Sequence, residues 1–146
     1  MITDARVPLE QQPYGTAYEQ MLEKVRYEGA YPTRARADEA VRLVLAGLGR
    51  QLTGDERVDL AARLPLEAAR VLTAQIPDIQ PLTGWAFVKD LAARSGASLA
   101  TTRWDTGSVF AAVSAHAGPD LITRILHQLP TGYALLFGRA ELTPAA

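Results

Sequence analysis

The sequence predicts an all-α protein built as two tandem four-helix repeats packed into one pseudo-two-fold helical bundle. Three observations predict it. The chain aligns with itself at an offset of 65 residues, the shift that carries Leu64-Pro65 onto Leu129-Pro130. Under that shift Val44, Ala46, Asp55 and Ala69 fall on Val109, Ala111, Asp120 and Ala134, while Leu45, Leu48, Leu60, Val71 and Leu72 fall on Phe110, Val113, Ile125, Leu136 and Phe137. Self-similarity at a fixed offset marks a duplicated unit. Second, apolar residues recur at three- and four-residue spacings, and no run shows the period-two alternation of a half-buried strand. Third, caps, prolines and glycines punctuate the chain at helix-length intervals.

In order, residues 1–15 contain Pro8 and Pro13 without apolar periodicity and read as a flexible N-terminal arm. Repeat one spans residues 16–73. Thr16 with Glu19 forms a capping box for helix 1, Met21, Leu22 and Val25 form its stripe, and Gly29 suits a left-handed stop. Thr33 caps helix 2, whose Ala37, Val41, Val44, Leu45, Leu48 and Leu52 make the strongest amphipathic signal in the chain. Thr53 with Glu56 opens helix 3 through Val58, Leu60, Ala61 and Leu64, and Pro65 suits the first turn of helix 4.

Residues 74–83, with Pro77 and Pro81, form a stiff linker. Repeat two spans residues 84–138. Helix 5 carries Phe87, Val88 and Leu91 and stops at Gly96. Ser98 is the preferred cap of helix 6, with Thr102 and Asp105 a competing capping box. Gly118-Pro119-Asp120 separates helices 6 and 7, and Pro130 starts helix 8, which runs to about Gly138. Residues 139–146 are expected to be a flexible tail.

Composition limits the function. The 146 residues contain no cysteine, which removes disulfides, thiolate metal sites and cysteine nucleophiles together. The net charge of −1 gives no overall attraction to nucleic acid or anionic membrane. No segment approaches the roughly 20 apolar residues of a spanning helix, and Met1 to Gly15 lacks the basic start and apolar run of a signal peptide. A soluble cytoplasmic protein is therefore expected, and the preference for Arg and Ala suggests a bacterial one. Charge is uneven: residues 1–73 hold 10 basic and 11 acidic groups, residues 74–146 only 5 and 5. The second half is the better candidate for partner contact.

The stretch LGRQLTGDERVDLAARLP from Leu48 to Pro65, the preceding VRLVLAG and the later WAFVKDLAARSG resemble the bacterial DUF2267 family over about Ala17 to Gly138. The second copy is more divergent, with Pro119-Asp120-Leu121 in place of Gly54-Asp55-Glu56. The resemblance implies an all-helical fold and an accessory, stress-associated role. It implies no reaction, cofactor or catalytic residue.

Residues able to carry chemistry are few. His116 and His127 are the only histidines, and no metal-ligand spacing accompanies them, so neither a metal nor a catalytic role is assigned. His116 is expected to face a helix C-terminus favourably. Asp55, Glu56 and Asp59 read as negative charge at a helix N-terminus. Gly47 and Gly49, over Ala112 and Ser114, suggest close helix approach. Arg34, Arg36, Arg42, Arg50, Arg57, Arg63 and Arg70 spread around their helices, so a salt-bridged surface is favoured over a nucleic-acid stripe.

The candidate partner surface is Arg103, Trp104 and Asp105. Trp104 lies over Glu39, off the apolar stripe, where an indole serves as an interface anchor or packs on a neighbouring helix. Trp85 reads as a buried staple. Thr102 to Ser108 is poor in strong helix formers, and Gly107 alone costs up to about 1 kcal/mol relative to Ala, so this turn is expected to open easily. The leading reading is a non-enzymatic interaction or accessory protein with a protein partner and no cofactor. Alternatives are an effector binder using an inter-repeat cleft, a nucleic-acid or ribosome-associated protein, and a homo-oligomer.

Overall fold

The computed structural model describes residues 14–140, and all the regular structure among them is helical. The order is α1 (Thr16–Glu28), α2 (Arg34–Gln51), α3 (Gly54–Arg63), α4 (Leu66–Thr73), α5 (Gly84–Ser95), α6 (Leu99–Ala117), α7 (Pro119–Gln128) and α8 (Tyr133–Leu136). Most of the expected arm and tail, residues 1–13 and 141–146, lies outside the described residues. Tyr14 and Gly15, assigned to the arm, are tied down: the Tyr14 hydroxyl donates to Asp38 at 2.8 Å and the Gly15 N–H to Glu67 at 2.7 Å. Arg139, assigned to the tail, donates to Thr123 Oγ1 and to the Pro119 carbonyl.

The two longest helices hold the bundle together. α2 packs against α1, α4, α5 and α6, and α6 packs against α1, α2, α3, α5, α7 and α8. One contiguous core runs through both halves, from Tyr18, Leu22, Leu45 and Leu48 to Phe87, Phe110, Ile125 and Tyr133. Because α6 touches neighbours on several sides, its apolar residues do not gather on one stripe as those of α2 do. Aromatic rings concentrate in the second half, where Phe110 stacks on Phe137 at 4.0 Å and Phe87 meets Tyr133 at 5.3 Å.

Helix starts follow the caps read from sequence at two of the expected sites. Thr33 and Ser98 accept hydrogen bonds from the Arg36 and Thr101 N–H groups. Thr83 does the same for Ala86 at the start of α5. The Thr102–Asp105 box is not used. At α1 the N-cap is Gly15, one residue before the expected Thr16, and Thr53 sits at the N-cap of α3 without a side-chain capping bond, its hydroxyl donating to Gln128 of α7 instead. Pro65 is the N-cap of α4 and not a first-turn residue. Within α3 only Leu60 is buried, and Val58 faces solvent.

Two glycines serve space, Gly29 where the sequence suggested a left-handed stop and Gly49 where it suggested close approach. Gly29 has φ −88°, and the left-handed residue is Ala30 at φ 56°. A Cβ on Gly29 would stand 2.5 Å from the Tyr31 ring and 2.9 Å from the Val25 carbonyl, so the side chain is excluded sterically. Gly49 meets the backbone of α4 in the same way, at Leu72. This is the close approach expected from the paired small residues.

α8 is the largest departure. The expected helix from Pro130 to Gly138 is a single turn, because Gly132 adopts φ 101° and packs its backbone on Gly84. The Gly84 N–H donates to the Thr131 carbonyl at 2.8 Å, and a Cβ on Gly84 would stand 2.6 Å from the Gly132 oxygen. That contact seats the segment on the start of α5 and delays the helix to Tyr133.

Candidate functional site

Most of the charged side chains of the first half are engaged within the fold. Arg34 pairs with Glu19 at 2.6 Å, Arg42 with Asp38 at 3.0 Å, and Arg50 donates to Gln75. The Arg57 guanidinium donates to the carbonyls of Gly49, Leu52, Leu72, Thr73 and Gln75, at the ends of α2 and α4 and the start of the linker. Arg63 donates to the Ala117 carbonyl at the end of α6. Binding of phosphate needs cations gathered and available on one face. Here all the helix arginines of the first half but exposed Arg70 close helix ends, ion pairs or side-chain hydrogen bonds.

The acidic residues of α3 do more than offset a helix dipole. Glu56 and Asp59 receive Arg124 of α7, with Asp59 at 2.5 Å, and Glu56 also receives Gln128 at 2.9 Å. They join α3 to α7. His127 is exposed. His116 is half-buried, and burial pushes its pKa below the ordinary histidine value, with Lys24 acting in the same direction. It is held toward its neutral form, so the expected favourable charge at the end of α6 is opposed by desolvation. Among the described residues no three His, Asp or Glu side chains converge as they would around a metal ion.

The three residues of the candidate partner surface part company. Asp105 is 2% exposed, so it is not on that surface. Its carboxylate accepts from the Tyr31 hydroxyl at 2.6 Å and from Arg36 at 2.9 Å. Burial and that hydrogen bond raise the Tyr31 pKa, keeping the phenol a donor. A buried carboxylate requires such partners, and this triad ties the turn before α2 to α6. Thr102 and Thr106, both fully buried, donate to the carbonyls of Ser98 and Thr102 one turn back. The segment expected to open easily is thus anchored at the centre of the bundle.

Arg103 and Trp104 do lie on the surface. The Trp104 indole N–H donates to the Gly29 carbonyl at 2.8 Å while the ring stays 57% exposed, so it is both packed and available. Trp85, expected as a buried staple, is 59% exposed, because α8 approaches α5 through Gly84 and leaves the next residue outside. Leu99 and Leu135 are exposed as well.

These side chains border two adjoining cavities. One, of about 390 Å³, lies between Gly84, Trp85 and Val88 of α5, Leu99, Ala100 and Arg103 of α6, and Gly132, Leu135 and Leu136 beside α8. The other, of about 430 Å³, is lined by Ala100, Arg103, Trp104, Gly107, Ser108, Ala111 and Glu28. Ala100 and Arg103 belong to both. Tyr27, Ile76 and Ile79 are also exposed but line neither.

Sequence reasoning singled out Arg103 and Trp104 but missed Trp85, Leu99 and Leu135. A signal was present: the 65-residue shift lays Leu99 over Arg34 and Leu135 over Arg70, apolar on charged in both cases. Apolar residues at exposed positions that the shift pairs with charged ones mark a surface that is not purely solvated.

No curated protein matches the chain. A family model described as "Uncharacterized conserved protein (DUF2267)" matches residues 18–136, from the first buried tyrosine of α1 through the end of α8. With that match spanning most of its length, the chain belongs to the DUF2267 family.

Proposed function

We propose that this protein is a non-enzymatic interaction domain, an accessory protein that docks a partner protein on the face formed by α5, the first half of α6 and α8. The observation that carries the reading is the cluster of exposed Trp85, Leu99, Trp104 and Leu135 around two adjoining cavities. Contiguous exposed apolar surface rimmed by polar groups is the mark of an interaction site. Half-exposed tryptophan beside arginine is the composition of an interface hot spot. A role in stress physiology and a cytoplasmic location are part of the same proposal, supported by the family resemblance and the sequence composition. No helix among the described residues is long and apolar enough to cross a membrane.

The same proposal includes the origin of the face. The domain is a duplicated four-helix unit with its halves related by a pseudo-two-fold axis, and burial supports this. At the 65-residue offset, Ala37, Val41, Val44, Leu45, Leu48, Leu60, Leu64 and Leu72 are buried, and so are Thr102, Thr106, Val109, Phe110, Val113, Ile125, Leu129 and Phe137. One copy kept a charged exterior while the other acquired the docking face.

Site-specific photo-crosslinking tests the docking reading. A benzophenone side chain at position 99 is compared with one at exposed Val58 of α3, in cells, with Trp85→Ala and Leu135→Glu as companions. A partner captured from position 99 alone, and lost in both companions, is the expected result. Equal capture from both positions, or capture indifferent to the companions, overturns it.

A further inference from the structure

We infer that the occupant of the α5–α8 cavity is a peptide segment of a partner protein that places a bulky apolar side chain in the cavity and a carboxylate on Arg103. This rests on the docking reading above and specifies its partner. Three observations point to it. Arg103 lines both cavities, and no carboxylate lines the 390 Å³ one. No described residue pairs with the Arg103 guanidinium, whereas Glu28, at the edge of the second cavity, is already opposite Lys24 at 3.8 Å. Lys89, one turn beyond Trp85 on α5, is likewise exposed and outside every ion pair among the described residues.

The first half shows what such a place looks like when the chain fills it itself. By burial, α5 follows α1 at an offset of 66 residues: Tyr18, Met21, Leu22 and Val25 correspond to Gly84, Phe87, Val88 and Leu91, all buried. At the positions of Trp85 and Leu99 the first half has Glu19 and Arg34, an ion pair at 2.6 Å. At the position of Arg103 it has Asp38, which receives the Tyr14 and Tyr18 hydroxyls and Arg42. The second half has lost the tyrosine ring to Gly84, replaced the ion pair with apolar groups, and kept one charge of opposite sign. What it lacks is an apolar side chain and an anion.

Charge decides between occupants. A second copy of the chain laid on this face about a two-fold axis would set Arg103 and Lys89 against a surface with the same cations and no carboxylate in its first cavity. A guanidinium instead favours the planar, two-pronged carboxylate of Asp or Glu. A short segment in a groove between helices, with an apolar anchor and a neighbouring acid, fits both features.

The test uses the full chain and a displayed library of random 12-residue peptides in which acidic and basic residues are equally frequent. Enriched clones are expected to carry Asp or Glu beside a large apolar residue. In the best clone, acid→amide replacement should weaken binding about tenfold or more against the wild type and leave Arg103→Gln unaffected. Amide shifts should fall on Gly84, Gly132 and the Trp85 indole. Failure to enrich, enriched clones without acids, or equal loss against Arg103→Gln overturns the acidic-peptide inference, while crosslinking from position 99 judges docking separately. A dimer abolished by Trp85→Ala would assign the face to a second copy, and contacts between Leu142 and Leu135 in the free chain would assign it to the chain's own C-terminal residues; either overturns the inference.

Discussion

Replacing Arg57 should destabilise the domain more than its position on a short helix suggests. The side chain bonds five carbonyls, with distances of 3.0, 3.2, 3.4 and 2.5 Å to Leu52, Leu72, Thr73 and Gln75, and with Gly49 as the fifth. A hydrogen bond from a charged donor contributes about 1.5–3 kcal/mol, so five added together would equal the roughly 5–15 kcal/mol stability of a whole domain. They cannot add. Two terminal nitrogens share five acceptors, and Arg57 is half-buried, so freed carbonyls partly regain water. Two fully effective bonds give about 3–6 kcal/mol, and water regained by the freed carbonyls lowers the expected loss for Arg57→Met to about 3–5 kcal/mol. Arg57→Lys keeps the charge but brings three donors to one point, so about half of that loss is expected. With a urea slope of about 2 kcal/mol/M, the Met variant's midpoint should fall by roughly 1.5–2.5 M at unchanged slope. A fall under about 0.3 M, or a Lys variant no better than Met, would show that water replaces the guanidinium at little cost.

Other predictions follow from single contacts. Gly84→Ala pushes a Cβ against the Gly132 backbone, so a loss of about 1–3 kcal/mol and displaced Gly132 and Leu135 amide resonances are expected; unchanged spectra would mean α8 adjusts freely. His116 has a folded pKa below its unfolded value near 6.5, so below that pH the unfolded chain binds the proton first. Its contribution is present above the unfolded pKa and is lost as pH falls toward the folded one. His116→Gln should therefore flatten the stability profile from about pH 7 downward, and a parallel profile would reject the assignment. Amides from Thr102 to Ser108 should exchange as slowly as those of Val44 to Leu48, because Asp105, Thr102 and Thr106 are buried and bonded. Fast exchange there would restore the easily opened turn that helix propensity alone implies.

What could be read from the chain was what neighbouring residues decide. The caps at Thr33 and Ser98, the Gly96 stop and the buried stripe of α2 depend on contacts within a few residues, and each is found where the pattern places it. What escaped depends on distant partners. Asp105 looked like surface acid beside Trp104, and its partners Tyr31 and Arg36 lie 74 and 69 residues away. Trp85 looked like a staple because the shift aligns it near Tyr18 at the start of α1, yet Gly132 occupies the space against α5. The same contact shortened α8; Gly132 near Pro130 was a local sign of a break, but its packing on Gly84 was not. The candidate surface was therefore half legible: Arg103 and Trp104 from the register of Trp104 over Glu39, Leu99 and Leu135 from charged-to-apolar replacements that went unread, and Trp85 only when α5 and α8 meet.

The placement of both tryptophans has an optical consequence. Trp85 and Trp104 are the only indoles, and at 59% and 57% exposure neither reports on the core. Emission from the folded protein should be red-shifted already, and its change on unfolding should be small, so fluorescence would under-read a transition that far-ultraviolet dichroism records in full. The same property makes the protein its own probe. A ligand covering the α5–α6 face should shift emission to the blue without any change in fold, Trp104→Phe isolates the indole at the α8 cavity, and Trp85→Phe isolates the one anchored to Gly29.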